Sequence, residues 1–411
     1  MKNTQKEPKN APKTDDLQAL GALLAANQPL PDGELPAISA ARLLRVRSRT
    51  GHTVPLRANR VQRAFEQNRT DRNIVLKARQ MGMTTWIAGR FFLKTITQPG
   101  VLTVLVAHTR EAAEGIFSVV HRMWANLPDD WKRNRLKRSR ANANQMVFAA
   151  LDSEFRVVSA GEENAGRGLT IQNLHLSEVA RWQGNAAHET LAGLKAALAP
   201  GGELTLESTP AGASGAFYEE WQQADEAGLT RHFFPWWLEP AYTAAPVLDP
   251  TGEERSLAAL HGLSPAQLGY RRKLERAFRG MRAQEFAEDA ESCFRASGNS
   301  CFSIEAIDRH FAQACDPVQI RRDGALHVWL PPAMGRAYLL GVDTAGGGSE
   351  GDYAAIQVID LASGLQCAEL RERLGPLDLA RAAAQLAREY RGATIAVERN
   401  NHGAAVLAYL A

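Results

Sequence analysis

NIVLKARQMGMTTW, residues 73–86, is the stretch whose reading decides the fold. An apolar run, Ile74-Val75-Leu76, leads into a turn at Gly82, and the hydroxyls of Thr84 and Thr85 open a helix. A strand, a glycine turn and a helix start in that order build a nucleoside triphosphate cradle. In its common form, G-x-x-x-x-G-K-[ST], backbone N–H groups surround the phosphates, a lysine reaches the β/γ oxygens and a hydroxyl meets Mg²⁺. Here Gly82 and Thr84 keep the turn and the metal ligand, but Met83 takes the lysine position. The positive charge stands upstream, on Lys77 and Arg79, with Gln80 between them and the glycine. Taken alone, the segment also fits an ordinary strand–turn–helix corner, so the rest of the chain has to decide.

At 411 residues, with 45% hydrophobic and 23% charged residues, the chain has room for two or three domains with ordinary globular composition. No apolar run reaches the roughly 18–20 residues of a membrane span, and the N-terminus carries no signal-peptide core. The four cysteines lack paired CxxC spacing, which argues against a zinc site or disulfide framework and suits a reducing cytoplasm. A net charge of +3 does not by itself mark a nucleic-acid binder. The densest basic run, WKRNRLKRSR at 131–140, has Lys or Arg at six of ten positions. Such a run neutralises phosphates or forms a solvated loop.

Residues 1–40 are polar and Pro-punctuated and read as a flexible tail, with one short helix near 16–26. Residues 41–240 read as an α/β domain, with strands at 74–76, 102–107, 155–158, 174–176, 204–207 and 232–236 separated mostly by helices. That alternation predicts a largely parallel sheet covered on both faces. Residues 241–332 read as a helical connector. Residues 333–411 form a second α/β unit, with strands at 338–343, 354–360, 367–371 and 394–398 and a helix at 377–390.

An ATPase needs a carboxylate near the γ-phosphate, at the end of a neighbouring strand. Glu178, in NLHLSEVARW, is the candidate base; the acid that usually precedes it is replaced by Ser177. In ELTLESTPAG, Ser208 and Thr209 close a further strand, where small hydroxyls can sense the γ-phosphate or simply make a turn. Thr109 and Arg110, at another strand end, are candidates for a sensor or a DNA contact. In the second unit Asp343 and Glu398 end strands that are neighbours in an RNase H-like sheet, so their carboxylates converge. Converging carboxylates suit two divalent ions acting on a phosphodiester, and oxygen ligands favour Mg²⁺ or Mn²⁺. Asp352 leaves the same turn and is an assisting candidate.

The order of KARQMGMTT, the strand ending in Glu178, LESTPAG and the later Trp236-Trp237 resembles the large terminase subunits of tailed bacteriophages, DNA-packaging motors with an ATPase followed by a nuclease. The resemblance covers roughly residues 54–411 and lies in motif order more than in any one match. It implies a P-loop ATPase domain of the ASCE type, a helical connector and an RNase H-like nuclease domain. It assigns Lys77, Arg79, Gln80, Gly82, Thr84 and Thr85 to the phosphates and Mg²⁺, Glu178 to hydrolysis, Ser208 and Thr209 to coupling, and Gln62 to adenine. Asp343, Asp352 and Glu398 become metal ligands of the nuclease. ATP, Mg²⁺ and Mn²⁺ are the implied cofactors. The implied partners are double-stranded DNA, a portal protein, a small terminase subunit and further copies in a ring, with no membrane, in the cytoplasm of a host bacterium.

The family pattern carries a third nuclease acid beyond Glu398, whereas this sequence ends at Ala411, so the expectation is an incomplete and weak or inactive nuclease. The basic run at 132–140 is a DNA grip or a source of a trans-acting arginine. Two other readings stand beside this one. The first is a helicase-like or repair ATPase, which normally has a second RecA-like domain in place of the RNase H-like unit. The second is a prophage relic with ATPase or binding activity only.

Overall fold

The computed structural model describes residues 14–142, 144–162, 168–182, 186–278, 281–295, 310–311, 313–348, 351–400 and 402–411. The chain divides into two compact units, Met1–Ile304 and Glu305–Ala411.

In the first unit the helices are α1 (Thr14–Ala26), α2 (Pro36–Ala41), α3 (Arg60–Asn68), α4 (Met83–Thr97), α5 (Arg110–Ala125), α6 (Asp129–Arg133), α7 (Ala186–Ala196), α8 (Ala216–Gln222), α9 (Gly252–His261), α10 (Pro265–Phe278), α11 (Arg282–Glu285) and α12 (Ser292–Arg295). The strands are β1 (Arg45–Arg47), β2 (Thr53–Pro55), β3 (Arg72–Lys77), β4 (Leu102–Ala107), β5 (Arg140–Ala141), β6 (Gln145–Phe148), β7 (Ser153–Ser159), β8 (Ile171–Ser177), β9 (Leu198–Ser208) and β10 (Thr230–Phe234).

Eight strands form one sheet in the order β10-β3-β9-β8-β4-β7-β6-β5, while β1 and β2 pair separately. The six strands from β10 to β7 run parallel, and β6 and β5 add antiparallel at one edge. Alternation along the strands explains why the sheet is covered twice. Ile74 and Leu76 of β3 and Val104 and Val106 of β4 enter one core with Leu191 and Phe217. Val75 and Leu105 enter the other, with Trp86, Phe91 and Phe117. The parallel strands all end on one side, the edge where open α/β sheets take ligands.

The structure corrects the tail. Leu17 and Ile38 are buried in the core that α4 shares, and Leu20 and Leu24 pack against it. Spacing of three and four residues puts Leu17, Leu20 and Leu24 on one stripe of α1, so residues 14–41 are docked rather than loose. Residues 1–13 lie outside the described set.

The connector is corrected too. Leu263, Leu268, Leu274 and Phe286 join the core of Trp86 and Phe91, and Ala287, Cys293 and Phe294 join that of Leu191 and Phe217. Helices α9 to α12 therefore belong to the first unit, whose boundary falls at 304 rather than 332. Within the span expected to be connector, residues 279–280, 296–309 and 312 lie outside the described residues.

The second unit contains β11 (Gln319–Arg321), β12 (Leu326–Val328), β13 (Tyr338–Asp343), β14 (Ala354–Asp360), β15 (Gln366–Glu372), α13 (Pro376–Glu389), β16 (Thr394–Val397) and α14 (Gly403–Leu410). Its sheet runs β11-β12-β15-β14-β13-β16, antiparallel except that β16 lies parallel to β13 after the α13 crossover. β11 and β12 fall inside the span expected to be connector. Their three-residue lengths and polar content hid them. Leu340, Val342, Ile356, Val358, Leu379 and Val406 build the core. Among the described residues no helix is long and apolar enough to cross a membrane.

Candidate active site

The turn after β3 is stiffened from below. Gly82 caps α4 in the left-handed region at φ 73°, a conformation open to glycine without strain. Gln80 is also left-handed, at φ 56°. Asn59 and Gln62 form a capping box at the start of α3, and their remaining amide groups bond to the turn. Asn59 Nδ2 donates to the Met81 carbonyl at 3.1 Å and Gln62 Nε2 to the Gly82 carbonyl at 2.9 Å. Gln62, assigned to adenine by resemblance, is buried and its amide is committed to this scaffold. Arg49 donates to the Gln80 carbonyl at 3.0 Å, and Tyr242 Oη donates to that of Arg79 at 3.0 Å. The first N–H groups of α4 thus face the end of the sheet without intrahelical partners, the feature by which helix starts hold phosphate.

Five side chains, Lys77, Thr84, Ser177, Glu178 and Glu207, converge at this turn. Lys77 Nζ lies 2.8 Å from Glu178 Oε1 and 3.1 Å from Glu207 Oε2. Burial would lower the pKa of Lys77, but the paired carboxylates of Glu207 and Glu178 outweigh it and hold the ammonium above its ordinary value. Thr84 Oγ1 and Ser177 Oγ each donate to Glu207 Oε1 at 2.7 Å. Burial pushes the Glu207 carboxyl up, yet Lys77 and His175 together hold it well below the usual carboxylate range. Sequence reasoning put Lys77 on the phosphates; the structure instead puts it at 5% exposure, under the two carboxylates.

Glu178 takes a left-handed backbone, φ 52°, at the end of β8. Its second oxygen accepts from Thr209 N and Thr209 Oγ1 at 3.3 Å each and from Ser208 Oγ at 3.4 Å. The side chain is therefore fixed from two directions, by Lys77 and by the end of β9. It lines a cleft of about 330 Å³ with Arg79, His108, Arg181, Thr209 and Glu285. Arg79 Nη1 donates to Glu285 Oε2 at 2.7 Å and Arg181 Nη2 to Glu285 Oε1 at 3.0 Å. Thr85 is half-buried, the third residue of α4.

Two other candidates of this unit make local structural contacts. Thr109 Oγ1 caps α5 by accepting from Ala112 N at 3.1 Å, and Arg110 pairs with Glu114 at 3.0 Å. In the basic run Trp131 is buried in the core, and Arg138 stacks 3.6 Å from the centre of the Trp124 ring. Arg133, Lys137 and Arg140 are exposed.

In the second unit, Val342 of β13 is in register with Val397 of β16, and Glu398 N donates to the Val342 carbonyl at 2.9 Å. Asp343 and Glu398 thus end adjacent parallel strands, both exposed, and line one cleft of about 470 Å³ with Gln357. Asn400 Nδ2 steadies Glu398 at 2.8 Å. Asp352 lies in the β13–β14 connection and is absent from the cleft lining. Among the described residues no three His, Cys, Asp or Glu side chains gather closely enough to hold a metal. The pair offers hard oxygen donors that suit a divalent cation, short of the set a two-metal centre needs.

No family model matches the sequence, and no curated protein matches it. Solved structures do. The large terminase of bacteriophage HK97 aligns at 17% identity and TM-score 0.48, over 88% of this chain and 73% of that one. The chain is similar to large terminases. The ATPase domain of the Thermus phage P74-26 large terminase aligns at 20% identity and TM-score 0.36, over 56% of this chain and 92% of its own. The large terminase nuclease of thermophilic phage G20c, solved with bound magnesium, aligns at 23% identity and TM-score 0.20. That match covers 23% of this chain and about half, 49%, of the nuclease.

Sequence reasoning missed Glu207, Glu285, Arg181 and His108. Glu207 sits inside LEST, where the serine and threonine drew attention and the acid read as a strand end. His108 directly follows β4, and position at the end of a parallel strand was a usable signal. Its Nδ1 is buried with no hydrogen-bond partner among the described residues. Arg181 and Glu285 carried no local signal, because only the fold brings them together from positions 104 residues apart.

Proposed function

We propose that this chain is a DNA-packaging motor of the large terminase type, which hydrolyses ATP to move double-stranded DNA and carries a carboxylate nuclease. The observation that carries this reading is the fixing of Glu178 between Lys77 and the Ser208–Thr209 strand end, at the mouth of the Gly82 turn. ATP phosphates would lie at the start of α4, with Arg79 and Arg181 turning from Glu285 to the phosphate oxygens. Thr84 would hold the accompanying Mg²⁺, which supplies charge neutralisation on the β- and γ-oxygens. Glu178 would take the proton of the attacking water, with Lys77 and Thr209 fixing the carboxylate's direction. Because Ser208 and Thr209 donate to the same carboxylate, loss of the γ-phosphate would be felt at the end of β9. Asp343 and Glu398 would hold Mg²⁺ or Mn²⁺ for cleavage of the DNA backbone. A portal protein, a small terminase subunit and a ring of identical copies belong to this proposal.

The test is ATP hydrolysis with and without double-stranded DNA. Glu178→Gln is expected to lose roughly 100-fold or more in kcat while still binding a non-hydrolysable ATP analogue. A wild-type chain without hydrolysis, or a Glu178→Gln variant with near-normal turnover, would overturn the motor reading. Mn²⁺-dependent nicking of supercoiled plasmid, lost in Asp343→Ala, tests the nuclease half separately.

A further inference from the structure

In P-loop ATPases the Mg²⁺ is held by the loop hydroxyl together with an aspartate at the end of a neighbouring strand. This chain has a serine there, Ser177, which brings no charge. Residue 177 is in register with Glu207 on the adjoining parallel strand, so the two side chains leave the sheet on the same face. Ser177 Oγ donates to Glu207 Oε1 at 2.7 Å, and the Thr84 hydroxyl donates to that same oxygen at 2.7 Å. Glu207 is fully buried, and its other oxygen meets Lys77 at 3.1 Å. A carboxylate one strand over thus makes the contact with the loop threonine that an acid at 177 would make.

We propose that Glu207 is the positioning carboxylate of the nucleotide–metal site, standing in from β9 for the acid that position 177 lacks. It orients Thr84 toward a divalent cation and supplies the negative charge behind it, while Ser177 orients Glu207. This inference rests on the ATPase reading above. It also accounts for Lys77. Two carboxylates brought this close together need a nearby cation, and Lys77 spans both.

The experiment is titration of a non-hydrolysable ATP analogue in Mg²⁺ and in EDTA, with thermal unfolding as a folding check. Wild type is expected to bind more tightly in Mg²⁺, and Glu207→Gln to lose roughly 10–100-fold of that tightening, the usual cost of removing a group that orients a metal ligand. Ser177→Asp/Glu207→Gln, with the charge moved back across the register, is expected to recover most of it. A folded Glu207→Gln that keeps the Mg²⁺ dependence overturns the inference. So does a double variant that binds the analogue without Mg²⁺ dependence, and this arm decides the matter where the single variant does not fold. A wild-type chain that binds no analogue in either buffer sinks the ATPase reading instead.

Discussion

Replacing Lys77 with methionine keeps the length of the side chain and removes the ammonium that lies 2.8 Å from Glu178 and 3.1 Å from Glu207. At an effective dielectric near 20, each contact at about 3 Å is worth roughly 5 kcal/mol of Coulomb attraction. Much of that sum is offset in the native protein by the cost of burying Lys77. The variant, however, leaves Glu207 buried with its charge uncompensated, and breaking a buried pair from one side costs about 3–5 kcal/mol. The sign of the pH effect follows from the carboxylate. In the native protein Lys77 and His175 hold Glu207 well below the usual range against the pull of burial. Its contribution is therefore present above an unfolded value of about 4.3 and is lost only as pH falls through the lower folded value. Without Lys77 burial prevails, the folded carboxyl binds a proton more readily than the unfolded one, and the variant gains stability as pH falls. The destabilisation should be largest near neutrality and shrink toward pH ~5. Urea unfolding followed by tryptophan fluorescence suits this test, because seven of the eight tryptophans, all but Trp329, belong to the first unit. Lys77→Met/Glu207→Gln, which removes both charges, should recover most of the loss. A single variant within about 1 kcal/mol of wild type at neutral pH, or a double variant no more stable than the single, would refute the reasoning.

Glu285→Gln weakens the hold on both Arg79 and Arg181, so an ATP analogue should bind about 5-fold more tightly, from roughly 1 kcal/mol of charge-assisted bonding given up; weaker binding in a fluorescence titration would contradict this. His232 Nε2 donates to Asn73 Oδ1, 3.0 Å away, and burial pushes its pKa down from 6.5 to about 4. The unfolded imidazole takes up a proton that the folded one refuses, so unfolding free energy should drop by up to ~3 kcal/mol as pH falls from 6.5 to 4. Urea midpoints of His232→Gln should follow pH less steeply across that window. A Cβ at Gly403 would collide with the Glu398 carbonyl, so Gly403→Ala should abolish metal-dependent nicking while leaving ATP hydrolysis intact.

The parallel core was legible because fully buried strands are continuous apolar runs, and 102–107 was bounded to the residue, as were the alternating strands 338–343 and 354–360 of the second sheet. The short antiparallel strands β5, β6, β11 and β12 were not, since two to four residues give no period to read. The helix α1 was legible near 16–26, but its docking on the core was hidden by polar, Pro-punctuated surroundings. At the candidate site, the turn, Glu178 and the Ser208–Thr209 end were readable as local patterns. The Glu207 hub was not, because its meaning lies in cross-strand register with Ser177 and in the reach of Thr84 from a helix 123 residues away. Likewise Lys77 reads as a loop cation until the sheet closes over it.

β16 is four residues long and is hydrogen-bonded along one side, to β13; among the described residues no strand lies on its other side. Thr394 and Ala396 are exposed, so little apolar burial holds it down. β13, by contrast, is zipped on both flanks, to β14 and to β16. The two carboxylates of the second unit are therefore mounted on backbones of unequal permanence. Amide protons of β13 should outlast those of β16 in deuterium exchange, because an edge strand opens by local fraying at a fraction of the global cost. Asp343 thus ends the doubly paired strand and Glu398 follows the singly paired one, so the spacing of the two carboxylates tracks the fraying of β16.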